Sequence, residues 1–220
     1  MSERKKMREP KQSRAALRRQ REKEQRYATI LRVAEPLFAR QGYHQTSLEA
    51  IADAAEVSVG TVYFYFKNKE DLLITMMRQV GYELRKVLGD AFLRKQGTME
   101  GIVEAGLSFF RDFCLRHPDK ISIFFREAGG RGARVEAARK EFYDKLIDDL
   151  KNALVRVRRE AGVTYRSDIS EELIAVCILG IYERVAGYYL LWHDRSDDIN
   201  TAARDATDFT VGGIKNLMIS

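Results

Sequence analysis

Three histidines, two cysteines and three prolines are all that the 220 residues contain of the side chains that most often ligate metals, cross-link chains or break helices. His44, His117 and His193 lie far apart, no Glu-x-x-His pair is present for a di-iron bundle, and neither Cys114 nor Cys177 has a CxxC partner. No catalytic set, metal site or cofactor is therefore expected, and the chain does not read as an enzyme. Each cysteine stands alone in an apolar helical stretch, which fits a small core residue in a reducing cytosol. The N-terminus is basic with no apolar run behind it, so no secretory leader is expected. Strand-like alternation with Asn-Gly or Asp-Gly turns is missing, which excludes a β architecture. The glycine cluster AGGRG at 128–132 lacks the GK[ST] ending of a phosphate loop and is not GxGxxG, so it reads as a loop or hinge. The most apolar stretch, Leu173 to Trp192, is interrupted by Glu183 and Arg184. Each charge near the centre of a spanning helix costs about 2.5–3.5 kcal/mol, so a buried helix is expected and no membrane partner.

The remainder is ordinary for a globular chain, 45% hydrophobic and 32% charged, with a helical signal that runs almost throughout. An all-α protein is expected, with a basic arm over 1–22, a small three-helix domain over 23–83 and a larger helical domain over 84–220. The charge is unevenly placed. Residues 1–26 hold eleven of the 38 Lys and Arg and four of the 32 Asp and Glu, a net of +7 against +6 for the whole chain. The arm is either a solvated or helical extension or a phosphate-binding element, with membrane attraction a weaker third reading. From Tyr27 to Gln41, Ile30, Val33, Ala34, Leu37 and Phe38 fall on one helical face that Gly42 is placed to end, and Pro36 predicts a kink or local widening.

The stretch TSLEAIADAAEVSVGTVYFYFKNK, Thr46 to Lys69, carries the chemistry. Thr46-x-x-Glu49 has the spacing of a capping box, and Leu48, Ile51, Ala52 and Ala55 recur at helical spacing behind it. Glu56 and Val57 form a turn. Ser58 can cap a second helix in which Val62 and Phe66 face inward and Val59, Gly60, Thr61, Tyr63 and Tyr65 face outward. Two short helices joined by a tight turn form a DNA-reading device, whose second helix enters the major groove N-terminus first. Gly60 lets the backbone approach a base or phosphate, Thr61 can hydrogen-bond or touch a thymine methyl, and Tyr63, Tyr65, Lys67 and Lys69 suit phosphates. Asn68-x-x-Asp71 starts a further helix, and Ser47 mirrors it at the other end of the device.

These residues resemble the DNA-binding domain of tetracycline-repressor (TetR) family regulators from about Tyr27 to Leu73. The resemblance rests on LFARQGY, on the T-S-x-x-x-I-A start of the next helix, and on VSVGTVYFYFKNKEDLL. It implies phosphate contacts at Ser47, Ser58, Tyr63, Tyr65 and Lys69 and base contacts at Val59, Gly60 and Thr61. Val59 stands where many members carry lysine, and Tyr65 where many carry histidine, so a relative's operator does not transfer.

The resemblance also implies an effector pocket and a dimer interface in the second domain. Phe109, Phe110, Phe113, Phe124, Phe125, Tyr182, Tyr188, Tyr189 and Trp192 are candidates for lining an apolar cavity, with Arg126 or Arg184 partnering an acidic group. Aromatic side chains at helical spacing are more often plain core than cavity lining. Ala202, Ala203, Ala206, Thr210, Gly212 and Gly213 are small enough for a second helix to approach closely, which points to a homodimer. The expected function is a ligand-responsive transcriptional regulator, a homodimeric repressor released from a pseudo-palindromic DNA operator by an apolar or amphipathic small molecule. The alternatives are an activator of the same family, or a non-enzymatic helical dimer acting through protein contacts.

Overall fold

The computed structural model describes residues 13–123 and 132–219. The first helix, α1 (Arg14–Gln45), starts inside the basic arm, where the Ser13 hydroxyl accepts from the Ala16 amide. Residues 14–22 of the arm are thus the opening turns of α1. Helical dihedrals run through Pro36, and the break falls instead at Gly42 (φ 82, ψ 161). Pro36 has no amide to offer the Arg32 carbonyl, and Arg32 stands at an exposed position of the helix.

Two short helices follow, α2 (Leu48–Ala54) and α3 (Val59–Tyr65), and then the long α4 (Lys69–Arg94). The cap of α2 is Ser47, not Thr46. Thr46 is buried and donates to the carbonyls of Gly42 at 2.9 Å and Leu37 at 3.2 Å, so its hydroxyl closes α1 and leaves Ser47 to accept from the Ala50 amide at 3.0 Å. The turn between α2 and α3 places Glu56 at φ 54. Ile30, Ala34 and Phe38 of α1 close over Ile51, Val62, Phe66, Leu72 and Leu73, all essentially without solvent contact, to form the core of the first domain. Full burial of each large apolar side chain stabilises by about 1.5–3 kcal/mol.

The second domain contains α5 (Met99–Ser108), continued by a π-helical stretch to Cys114, and the short α6 (Pro118–Ser122), with Pro118 at its first position. Pro118 opens this helix because a first-turn residue needs no amide donor. The long α7 (Ala133–Ala161) precedes α8 (Ser170–Ala186), which continues as a π-helix to Trp192, and α9 (Ile199–Leu217) completes the bundle. Thr164–Tyr165 and Met218–Ile219 pair as a two-residue antiparallel ladder. Of the AGGRG segment, only Gly132 lies within the described residues, at φ 104. Cys114 is buried in the second core, where burial pushes its thiol pKa well up, whereas Cys177 is exposed on α8 and is not a core residue.

Candidate functional site

The capped start of α3 fixes its outward face. Ser58 Oγ accepts from the Thr61 amide at 3.2 Å and lies 2.9 Å from Thr61 Oγ1, so the two hydroxyls form one small polar patch. Ser47, Ser58, Val59, Gly60 and Tyr63 are exposed, with Thr61 half-buried between them. A Cβ built on Gly60 would meet only Ser58 Oγ, at 3.8 Å, so nothing inside the chain requires glycine there. Lys67 is exposed, and its amide donates to Asp71 while Asn68 accepts from the Asp71 amide at 2.8 Å, which anchors the start of α4.

Tyr65 and Lys69 are placed differently from the others. The Tyr65 hydroxyl donates to the Lys23 carbonyl at 3.0 Å, and its ring packs edge-on to Tyr27. Lys69 Nζ donates to the carbonyls of Tyr43, His44 and Thr46 at 2.6, 3.3 and 2.7 Å, where it closes the negative end of α1. Tyr65 thus ties α3 to α1, and Lys69 ties the start of α4 to the end of α1. Sequence reasoning left Phe64 unassigned, yet it is 70% exposed, one turn after Gly60, with Lys23 Nζ over its ring at 5.4 Å. The i, i+4 spacing from Gly60 was the available signal. Arg19, Lys23 and Arg26 of the α1 extension, with Glu22 as the one carboxylate among them, line a cleft with Ser58, Gly60, Thr61, Phe64 and Tyr65, so an excess of cations stands beside α3 where residues 27–72 themselves carry a net charge of −2.

A second site lies between α4, α5, α7 and α8, where a cavity of about 420 Å³ is walled mainly by apolar side chains, among them Leu84, Leu88, Phe92, Leu146, Leu150 and Ile178. This is a volume suited to a small molecule. Of the aromatics expected to line a cavity, Phe109 and Tyr182 do so. Phe110 and Phe113 are fully buried core, Tyr188 and Tyr189 sit on the π-helical end of α8, and Trp192 there is exposed with Arg184 over its ring at 4.9 Å. Phe124, Phe125 and Arg126 lie outside the described residues. The polar groups at the cavity include Arg85 paired to Asp149, Tyr143 donating to Glu183 at 2.6 Å, and Asn152 and Arg156 of α7. Burial and the nearby carboxylate push the Tyr143 pKa up, so it stays a donor. Tyr182 donates to Thr207 at 3.2 Å, linking the cavity wall to α9.

Cavity and first domain meet through α4 and α6. Lys120 of α6 pairs with Glu83 of α4, close to Glu35 of α1, whose pKa is raised by burial and by Glu83 and Asp119 against the opposing pull of Lys120. Burial, followed by the Lys120 charge, lowers the pKa of the neighbouring His117. The outer faces of α8 and α9 carry Leu173, Val176, Tyr188 and Phe209 exposed, the last at 72%, alongside Gly180, Gly212 and Gly213. By length and composition the helix from Ser170 to Trp192 is apolar enough to cross a membrane, with 33% of its most apolar window buried in the single chain. Among the described residues no group of three or more His, Cys, Asp or Glu is placed to hold a metal ion.

The sequence profile described as "Bacterial regulatory proteins, tetR family" matches residues 30–76. The fatty acid metabolism regulator protein of Bacillus subtilis is 42% identical over 198 residues, spanning 89% of this chain and 98% of that protein. Among solved structures, FadR from Bacillus subtilis in complex with stearoyl-CoA superposes with a TM-score of 0.74, covering 85% of this chain and 98% of that one, with 22% identity in the superposition. FadR from Bacillus halodurans gives a TM-score of 0.73, covering 86% and 95%, again at 22%. The structural likeness is one of fold.

Proposed function

The chain belongs to the TetR family of bacterial transcriptional regulators, and on that premise we propose that it is a homodimeric repressor released from a pseudo-palindromic operator by an amphipathic effector with a long apolar chain. The observation that carries this reading is the course of α4. Its first residue, Lys69, holds the end of α1 in the DNA-reading domain, and Leu84 to Leu93 of the same helix wall the cavity. A ligand that changes the setting of α4 therefore changes the setting of the reading head. Release requires only that the ligand bind the free form better than the DNA-bound form.

The effector class rests on the cavity's apolar walls and on the relatives, one concerned with fatty acid metabolism and one holding stearoyl-CoA. Dimerisation rests on the exposed apolar stripe of α8 and α9, which would bury Val176 and Phe209 against a second copy. We assign base contacts to Val59, Gly60 and Thr61, phosphate contacts to Ser47, Ser58, Tyr63 and Lys67, and a positioning role to Tyr65 and Lys69. A gel-shift assay with genomic fragments, followed by footprinting, tests the proposal. It predicts two protected half-sites about one helical turn or a multiple of it apart. A single asymmetric half-site bound by a monomer would overturn it.

A further inference from the structure

We propose that the cavity opens through the seam between α4 and α7 at Gly89 and Ala153, and that a long acyl chain enters there tail first, leaving its anionic head, a carboxylate or phosphate, on Arg85 and Arg156. This rests on the reading of the cavity as the effector site and adds where the ligand enters and what recognises its head.

The two helices run parallel and are stitched by charged rungs at an almost constant sequence offset: Glu70 to Arg134, Arg78 to Glu141 and Arg85 to Asp149, separated by 64, 63 and 64 residues. The offset of 64 sets Gly89 opposite Ala153, and both line the cavity. Here the seam has no long side chain on either helix. Gly89 is exposed, and a Cβ built on it would meet nothing within 4 Å. An interior helical glycine is unfavourable by about 0.5–1 kcal/mol relative to alanine, so its presence on a face with room to spare is not explained by packing within the chain.

Guanidinium groups stand on both sides of this gap. Arg85, one turn before Gly89, is held by Asp149 at 2.5 and 2.9 Å, and that hydrogen-bonded partner raises its pKa further, keeping it charged. Arg156, three residues after Ala153, lies across Gly97 and donates to the Gln96 carbonyl at 2.7 Å. Among the described residues its hydrogen bond goes to that backbone carbonyl and to no carboxylate. The interior beyond the gap is apolar, and burying an unpaired anion there would be very unfavourable, so the charged head has to remain at the rim. A guanidinium fork matches carboxylate and phosphate oxygens equally, and Arg156 is the one already without such a partner.

The test measures binding of stearoyl-CoA, stearate and 1-octadecanol to the full chain by calorimetry, and operator binding on the same samples, for wild type, Gly89→Trp, Gly89→Ala and Arg156→Gln. Gly89→Trp should keep the thermal stability and operator affinity of wild type yet weaken all three probes at least tenfold, with Gly89→Ala within about twofold. Arg156→Gln should weaken the two anions about tenfold and leave the alcohol unchanged. Loss for stearoyl-CoA alone would assign Arg156 to a phosphate, and loss for both anions to the shared negative charge. Wild-type affinity in Gly89→Trp, or equal loss of the alcohol in Arg156→Gln, would overturn the proposal, as would failure of wild type to bind any of the three. Operator binding on the same samples tests the repressor reading separately.

Discussion

Lys69 donates to the carbonyl of Tyr43 at 2.6 Å, so the first residue of α4 closes the last turn of α1. The contact bridges two helices that the intervening helix-turn-helix unit separates in sequence. Hydrogen bonds to a charged group contribute about 1.5–3 kcal/mol, and a helix C-terminus favours a cation. Lys69→Met should lower the melting temperature by several degrees and weaken binding to all operators alike. An unchanged melting temperature would show that the contact does not hold the head together.

Tyr63→Ala should weaken binding to all sequences about equally, because a phosphate contact positions the protein without reading bases. Thr61→Ala and Gly60→Val should instead change which operators are preferred, or abolish specific binding. Since the chain leaves open space over Gly60, loss of binding in Gly60→Val with an intact melting curve would place the obstruction on the DNA side. Binding-site selection with these variants decides it, and unchanged preference in both Thr61→Ala and Gly60→Val would mean that α3 does not lie in the groove.

The α1 extension should supply the long-range attraction that the −2 charge of residues 27–72 cannot. Each phosphate it neutralises adds about 0.9 to the slope of log K against log salt, so losing three contacts per dimer flattens the slope by about 2.7. Deleting residues 1–22 and titrating operator at several salt concentrations measures this. Sequence preference should survive, since Lys23 and its carbonyl contact with Tyr65 remain. An unchanged slope would make the arm a solvated extension only.

Glu35 gives the junction of α1, α4 and α6 a pH signature. Its folded pKa lies above the ordinary 4.5, so the native state holds that proton more tightly than the unfolded chain does. The group therefore favours folding when protonated and opposes it as pH rises through that raised value. The melting temperature of Glu35→Gln relative to wild type should increase as pH rises above the ordinary carboxyl value of 4.5. A difference independent of pH would assign the effect to packing.

The first domain was legible in the sequence because its signals are local: caps at Ser58 and Asn68, the helical spacing of Ile51, Val62 and Phe66, and a turn at Glu56. The cap of α2 was misplaced by one residue because Thr46 and Ser47 are equivalent as local signals, and only the Gly42 carbonyl, set by tertiary structure, takes Thr46 away. Pro36 keeps helical dihedrals around it, and the helix departs from them at Gly42 instead. The cavity was barely legible. Its walls are apolar faces of four helices that look like core in sequence, and Phe109, which lines it, differs from Phe110, which does not, only by where the π-helical stretch turns each ring. Cys177 likewise reads as core until the outer face of α8 is seen.

If cavity and reading head are coupled through α4, ligand and operator must affect each other's binding reciprocally. The measurement is operator affinity with and without saturating stearoyl-CoA, paired with stearoyl-CoA affinity with and without operator. Coupling between two sites is typically 5–150-fold and must be the same factor in both directions. Mutual weakening by about tenfold or more, equal from either side, is the expected result; stearoyl-CoA bound with operator affinity unchanged would show the two sites to be uncoupled.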